Sequence, residues 1–326
     1  MLRALVLTVT LCGLVACQPE AVEDFTDVGS KRIALSYDDA PLGDGPRYTG
    51  AERTKAMLDQ FETAQTGPVA IFVTTRGMEL PDGEPRIASY ATAGHRIANH
   101  SDQHAWASRT PTDAYIADID RAEAKLASFE NRRPWFKFPF LDEGGQGEEN
   151  QDGTKRDALR AALAERDLIS GYVTIDTYDW HLDRLWSRAV RADHEVDMQK
   201  LSEVYVSMVV DAAAHYDALS LRVLDRRPAQ VLLLHENDLA ASFTVDLVDA
   251  LRADGWTIID PDEAFADPIV DQLPETRFSG MGRISALAFD AGLTTRGDLD
   301  HWAVSEKAID DKVAAYQVFT PSAETQ

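Results

Sequence analysis

Seven short apolar runs punctuate the chain, near residues 32–37, 69–74, 96–99, 135–138, 170–175, 230–234 and 256–259, and each reads as a strand. Between them lie stretches whose apolar residues recur every three or four positions, the helical period, over residues 53–64, 112–130, 157–166, 198–217 and 244–253. Strands alternating with helices predict parallel βα units. A barrel of about 240 residues with appendages fits a chain of 326 residues that is 44% hydrophobic. No internal repeat or low-complexity tract interrupts the pattern.

The polar residues that close these runs carry the chemistry. The first run ends in Asp38-Asp39-Ala40-Pro41, two carboxylates at a strand tip stopped by proline and expected to stay partly exposed. The third is followed by His100-Ser101-Asp102-Gln103-His104, and a helical turn after His100 is expected to bring the two imidazoles to one face. One carboxylate and two imidazoles suit a divalent metal of the zinc type with positions left open for water.

Five ordered motifs between residues 31 and 235 resemble those of the polysaccharide deacetylases that share the NodB homology domain. Ser36-Tyr37-Asp38-Asp39-Ala40-Pro41 is similar to T-F-D-D-G-P, and His100-Ser101-Asp102-Gln103-His104 to H-S/T-x-x-H. Lys137-Phe138-Pro139-Phe140 resembles R-x-P-Y, Asp176-Thr177-Tyr178-Asp179-Trp180 resembles D-x-x-D-W, and Leu233-Leu234-His235 the closing L-x-H. The resemblance implies a distorted (β/α)7 barrel of the NodB type over residues 31–267. It implies Asp39, His100 and His104 as ligands of a divalent metal, Zn2+ by default, with Co2+, Ni2+ or Mn2+ able to occupy the same donor set. Asp38 is then the base, and His235, tuned by Asp179, the acid that protonates the leaving amine. The backbone N–H of Phe140 helps hold the oxyanion, and Pro139, Phe140, Trp180 and Leu233 bind substrate.

Three positions depart from the family pattern. Lys137 replaces arginine, and an ammonium cannot reproduce the two-pronged guanidinium contact to a carboxylate, so the orientation of Asp38 is in question. Phe140 lacks the tyrosine hydroxyl, and Ala40 in place of glycine demands an ordinary negative φ.

The N-terminus sets where this chemistry is expected. Residues 1–16 read as a secretory signal too short to span a membrane, and Leu14-Val15-Ala16-Cys17 resembles a bacterial lipobox with Cys17 acylated. Residues 17–30 then form a polar tether, and the protein is expected at the cell envelope, facing the periplasm, anchored to a membrane through lipid. Beyond the signal no second cysteine remains for a disulfide. A formal net charge of -23 argues against nucleic acid as a partner and mildly favours neutral or cationic glycans. No protein partner is predicted.

Two regions lack a motif. The acidic, glycine-rich residues 142–153 read either as a lid over the site or as a plain surface loop, and residues 268–326 as an extension packed on the outside of the barrel. The expected function is removal of N-acetyl groups from a GlcNAc-containing glycan such as peptidoglycan or a chitin-like oligosaccharide. The alternatives are an O-acetyl sugar esterase using the same site, and a non-catalytic glycan-binding envelope lipoprotein.

Overall fold

The computed structural model describes residues 28–277, 280–299 and 301–322. The expected signal, Cys17 and most of the tether lie outside these residues. The strands are β1 (Arg32–Ala40), β2 (Ala70–Val73), β3 (Arg96–Asn99), β4 (Arg132–Phe136), β5 (Ile169–Ser170), β6 (His194–Val196), β7 (Gln230–His235), β8 (Thr257–Ile258) and β9 (Phe319–Pro321). The helices are α1 (Gly50–Ala64), α2 (Gly83–Thr92), α3 (Thr112–Leu126), α4 (Thr154–Ala164), α5 (Asp179–Arg191), α6 (Met198–Leu224), α7 (Asp238–Ala253), α8 (Pro261–Ala264), α9 (Arg283–Asp290), α10 (Arg296–Leu299) and α11 (Glu306–Tyr316).

β1 is buried along nearly its whole length because both faces are covered, which is why it reads as a continuous apolar run rather than an alternating one. It lies between β2 and β7, and the parallel sheet runs β5-β4-β3-β2-β1-β7, with β8 joining the start of β1. Helices cover it, and each large side chain sealed between the layers, such as Tyr37, Phe72 or Tyr205, contributes about 1.5–3 kcal/mol. The sheet curls shut through the segment after β5. Ile175 bridges Leu232 of β7, where Thr174 N donates to Val231 O (2.9 Å) and Leu233 N to Ile175 O (3.0 Å). This is the distorted (β/α)7 barrel that the motifs implied.

The strand expected over 170–175 is therefore split, with only Ile169–Ser170 paired to β4. At Gly171 a Cβ would come within 2.6 Å of the Phe72 ring, so the backbone there passes directly over a core aromatic and leaves the ladder. Two short strands escaped the sequence pattern. β6 and β9 form an antiparallel pair that ties the end of the chain to the α5–α6 junction. α5 was missed as well, and it begins at Asp179 inside the fourth motif.

The exit of β1 is braced from behind by buried charges. Glu236 accepts from Arg86 Nη2 (2.9 Å), Tyr90 Oη (3.0 Å) and the Leu42 backbone N–H (2.7 Å). Asp238 accepts from Arg53 Nε (2.7 Å) and the Arg47 backbone N–H (2.7 Å). Both carboxylates are fully enclosed, so removing either cation would leave an uncompensated charge at a cost of about 3–5 kcal/mol. The loop that leaves Asp38-Asp39 is thereby fixed to the start of α7.

Candidate active site

In a regular strand two consecutive side chains point to opposite faces, yet Asp38 and Asp39 both turn toward His100. Asp39 adopts a left-handed φ of 67°, and the pairing of β1 with β2 slips between Tyr37 and Ala40. His100 Nε2 then lies 3.7 Å from Asp38 Oδ2 and 3.6 Å from Asp39 Oδ1. Contrary to expectation Asp38 is buried, at 3% exposure; the Asp39 side chain keeps 24%.

The two imidazoles do not meet through a helical turn. Residues 100–106 are irregular, with left-handed φ values at Ser101 (69°) and His104 (53°). Asn99 Oδ1 accepts from Ser101 N (2.7 Å), and Ser101 Oγ accepts from His104 N (2.8 Å), so side chains hold a loop that the backbone does not favour. The result places His104 Nε2 3.0 Å from Asp39 Oδ1. Phe140 and Leu141, also left-handed, complete a set of strained residues around the site, each costing about 1–3 kcal/mol.

Asp39, His100 and His104 bring one ligand atom each within 4.8 Å of the others. Ligands of a tetrahedral ion with bonds of about 2.0–2.2 Å lie roughly 3.3–3.5 Å apart, which the 3.0 and 3.6 Å separations bracket. His100 Nδ1 donates to the Lys137 carbonyl (2.8 Å), leaving the Nε2 lone pair to face the cluster. Burial pushes His100 down to about 4, keeping the ring in the neutral form that ligates metals. Burial raises the Asp39 carboxyl, but the hydrogen bond and charge of His104, with the charges of His235 and His100, outweigh it and hold the group well below the usual carboxylate range. The donor set fits a divalent cation.

Lys137 is not a strand-end lysine in solvent. It is 1% exposed, donates to Asp38 Oδ1 (2.7 Å) and Ser36 Oγ (2.9 Å), and sits 3.9 Å over the Phe72 ring. Burial lowers its pKa, opposed chiefly by Asp38. On the other flank β7 pairs with β1 so that His235 is the register partner of Asp38. His235 Nδ1 donates to Asp179 Oδ1 (2.6 Å), while Asp179 Oδ2 accepts from His235 N (3.0 Å) and Asn237 Nδ2 (2.9 Å). Burial works against protonation of His235, but the charge and hydrogen bond of Asp179 push it up to about 9.

These groups open on a cleft of about 1030 Å3 lined by Asp38, Asp39, His100, His104 and His235. Phe140, Trp180 and Leu233 line it too; Pro139, Lys137 and Asp179 do not reach its wall and act from behind. Several lining residues had no role assigned from sequence. Trp106 stacks on Phe140 with ring centroids 4.0 Å apart, and its position two residues after His104 was the one available signal. Asp176, whose buried carboxyl is raised to about 7, was visible only as a motif letter. The acidic loop is anchored: Asp142 accepts from Ser108 N (2.8 Å) and Gly144 N (2.9 Å), and Gln146 lines the cleft. Residues beyond 280 also wall the cleft, so the C-terminal segment does more than pack on the outside.

The polysaccharide deacetylase family model matches residues 26–152. The chain carries a polysaccharide deacetylase domain. That match, over residues 26–152, supports a deacetylase hydrolase. Solved structures similar to it include the chitin deacetylase of the fungal pathogen Colletotrichum lindemuthianum, at 15% identity over 73% of this chain and 88% of that one, with a TM-score of 0.49. The peptidoglycan deacetylase PdaC of Bacillus subtilis shares 16% identity over 76% and 94%, TM-score 0.45. A family 4 carbohydrate esterase of Streptomyces lividans, in complex with acetate, shares 18% over 72% and 95%, TM-score 0.42. Curated protein sequences gave no match.

Proposed function

We propose that this polysaccharide deacetylase removes N-acetyl groups from a GlcNAc-containing glycan with the help of a divalent metal, Zn2+ by default, held by Asp39, His100 and His104. A cation there would lower the pKa of a bound water and polarise the acyl oxygen. The chain's own residues handle the protons. Asp38, with Lys137 against its Oδ1, faces the cluster through Oδ2 and takes the proton released during attack. His235 presents Nε2 and gives a proton to the amine nitrogen, which leaves poorly as an anion. Asp179 holds the ring in the orientation and protonation state for that donation. Trp180 and Leu233 enclose the acetyl group.

The observation that carries this reading is the placement of one carboxylate and one imidazole as register partners on adjacent strands, beside a three-ligand cluster. The test is metal content and acetate release measured together. The zinc-loaded protein should release acetate from N-acetylglucosamine oligomers, and Asp39→Ala or His104→Ala should lose both metal and turnover. Metal retained in either variant would overturn the ligand assignment.

We propose in addition that residues 1–16 direct export and that acylated Cys17 tethers residues 31–267, the catalytic barrel, to the envelope. Labelled palmitate should enter the wild-type protein in cells and not Cys17→Ser; equal labelling would refute the anchor.

A further inference from the structure

Nearly half of the cleft lining comes from residues 280–308, a segment outside the five motifs. It is docked at both ends to the loops that carry the chemistry. Gly280 N donates to Leu141 O (3.3 Å) beside Phe140, and Tyr178 N donates to Ala303 O (2.7 Å) beside Asp179 and Trp180. Between these points Arg283 N donates to Val173 O (2.7 Å), and its buried guanidinium is used up on the carbonyls of Ile269 (3.1 Å) and Gln272 (3.0 Å). Arg184 bonds Glu306 (2.7 Å), and His181 Nε2 contacts Asp310 Oδ1 (2.8 Å), clamping α11 to α5. The wall is thereby tied to the loops that line the cleft.

The chemistry this wall presents is specific. Met281, Leu299 and Trp302 offer apolar and aromatic surface, and Arg283 and Lys307 do not line the cleft. Burial pushes His301 down to about 4, and its Nδ1 accepts from Ala303 N (3.2 Å), so the neutral ring carries its proton on Nε2 as a donor. The carboxylate of Glu306 is already paired with Arg184. Apolar faces with uncharged hydrogen-bonding groups match a pyranose ring, whose C–H faces are apolar and whose edges carry hydroxyls; they do not match a sugar bearing carboxylate or phosphate. The cleft stands at the upper end of the roughly 300–1,000 Å3 typical of small-ligand clefts, room for more than one sugar unit.

We propose that residues 280–308 form a subsite for an uncharged sugar unit adjoining the one that is deacetylated, making this segment a determinant of substrate length. The inference rests on the deacetylase reading above. Binding energy gained on a remote unit can be used to raise the rate at the reacting bond. kcat/KM should therefore climb along the series of N-acetylglucosamine monomer, dimer, trimer and tetramer.

Two variants of the full, zinc-loaded chain probe the wall. At Gly297, which lines the cleft, nothing lies within 4 Å of where a Cβ would project, so Gly297→Trp adds bulk from an open position on the wall. Trp302→Ala removes aromatic surface instead. Each should cut kcat/KM on the tetramer by about tenfold, equivalent to about 1.4 kcal/mol, with the loss shrinking toward the monomer. Losses equal at every length, or no loss in Gly297→Trp with its melting temperature unchanged, would overturn the subsite while leaving the deacetylase reading intact. Absence of acetate from every oligomer with the wild-type enzyme would remove both.

Discussion

The two flanks of the Asp39, His100 and His104 cluster solve the same problem, holding one charged group in a buried place, by different means. Asp38 is held by a single ammonium, that of Lys137, which shares its donors with Ser36 and rests on Phe72. His235 is held by Asp179, whose two oxygens accept three hydrogen bonds from the ring, the backbone and Asn237. An ammonium is a point charge on a flexible stem, so the first arrangement depends on charge and on the fit of the enclosing wall. A carboxylate with its lone pairs occupied depends on geometry. Asp38 is thus positioned by packing and His235 by directed bonds.

Substitutions that strike one flank at a time sharpen this contrast. The largest effect is expected from Asp38→Asn, which keeps shape and removes the base: kcat should fall by about 10²–10⁴ while zinc content stays at the wild-type level. Loss of zinc in that variant would make Asp38 a ligand rather than the base.

Asp179→Asn should come next. His235 is protonated below its raised value of about 9, so the acid is available there and lost as pH rises through it. Burial lowers this histidine once Asp179 no longer opposes it, so the alkaline limb of kcat/KM should move toward neutral pH. At pH 8 the rate should drop by about ten- to a hundredfold. An unmoved limb would show that another group supplies the proton.

The smallest effect is expected from Lys137→Arg. Arginine is the residue of the family motif, but Lys137 is enclosed and already packed 3.9 Å over the Phe72 ring, so a larger head group enters a filled place. Overpacking should cost about 1–3 kcal/mol, read as a lower Tm, with kcat reduced by less than about tenfold. A higher Tm with faster turnover would show that the wall around Lys137 yields, and that the contrast between the two flanks is weaker than drawn.

Much of this protein was legible in order along the chain. Parallel strands and helices announce themselves because the side-chain period is set by local backbone geometry, and residues 230–234 or 244–253 could be read that way. Asp38, Asp39, His100, His104 and His235 stood out in the sequence too, since the metal binding and proton transfer proposed for them require particular functional groups. Their convergence was not. Asp39, Ser101 and His104 take left-handed backbone that no residue type among them demands, and the contacts around them impose it. The burial of Lys137 under Phe72, the break of the fifth strand at Gly171 and the C-terminal wall join residues distant in sequence. Such contacts leave no period behind, because packing is decided by whatever the folded chain brings alongside.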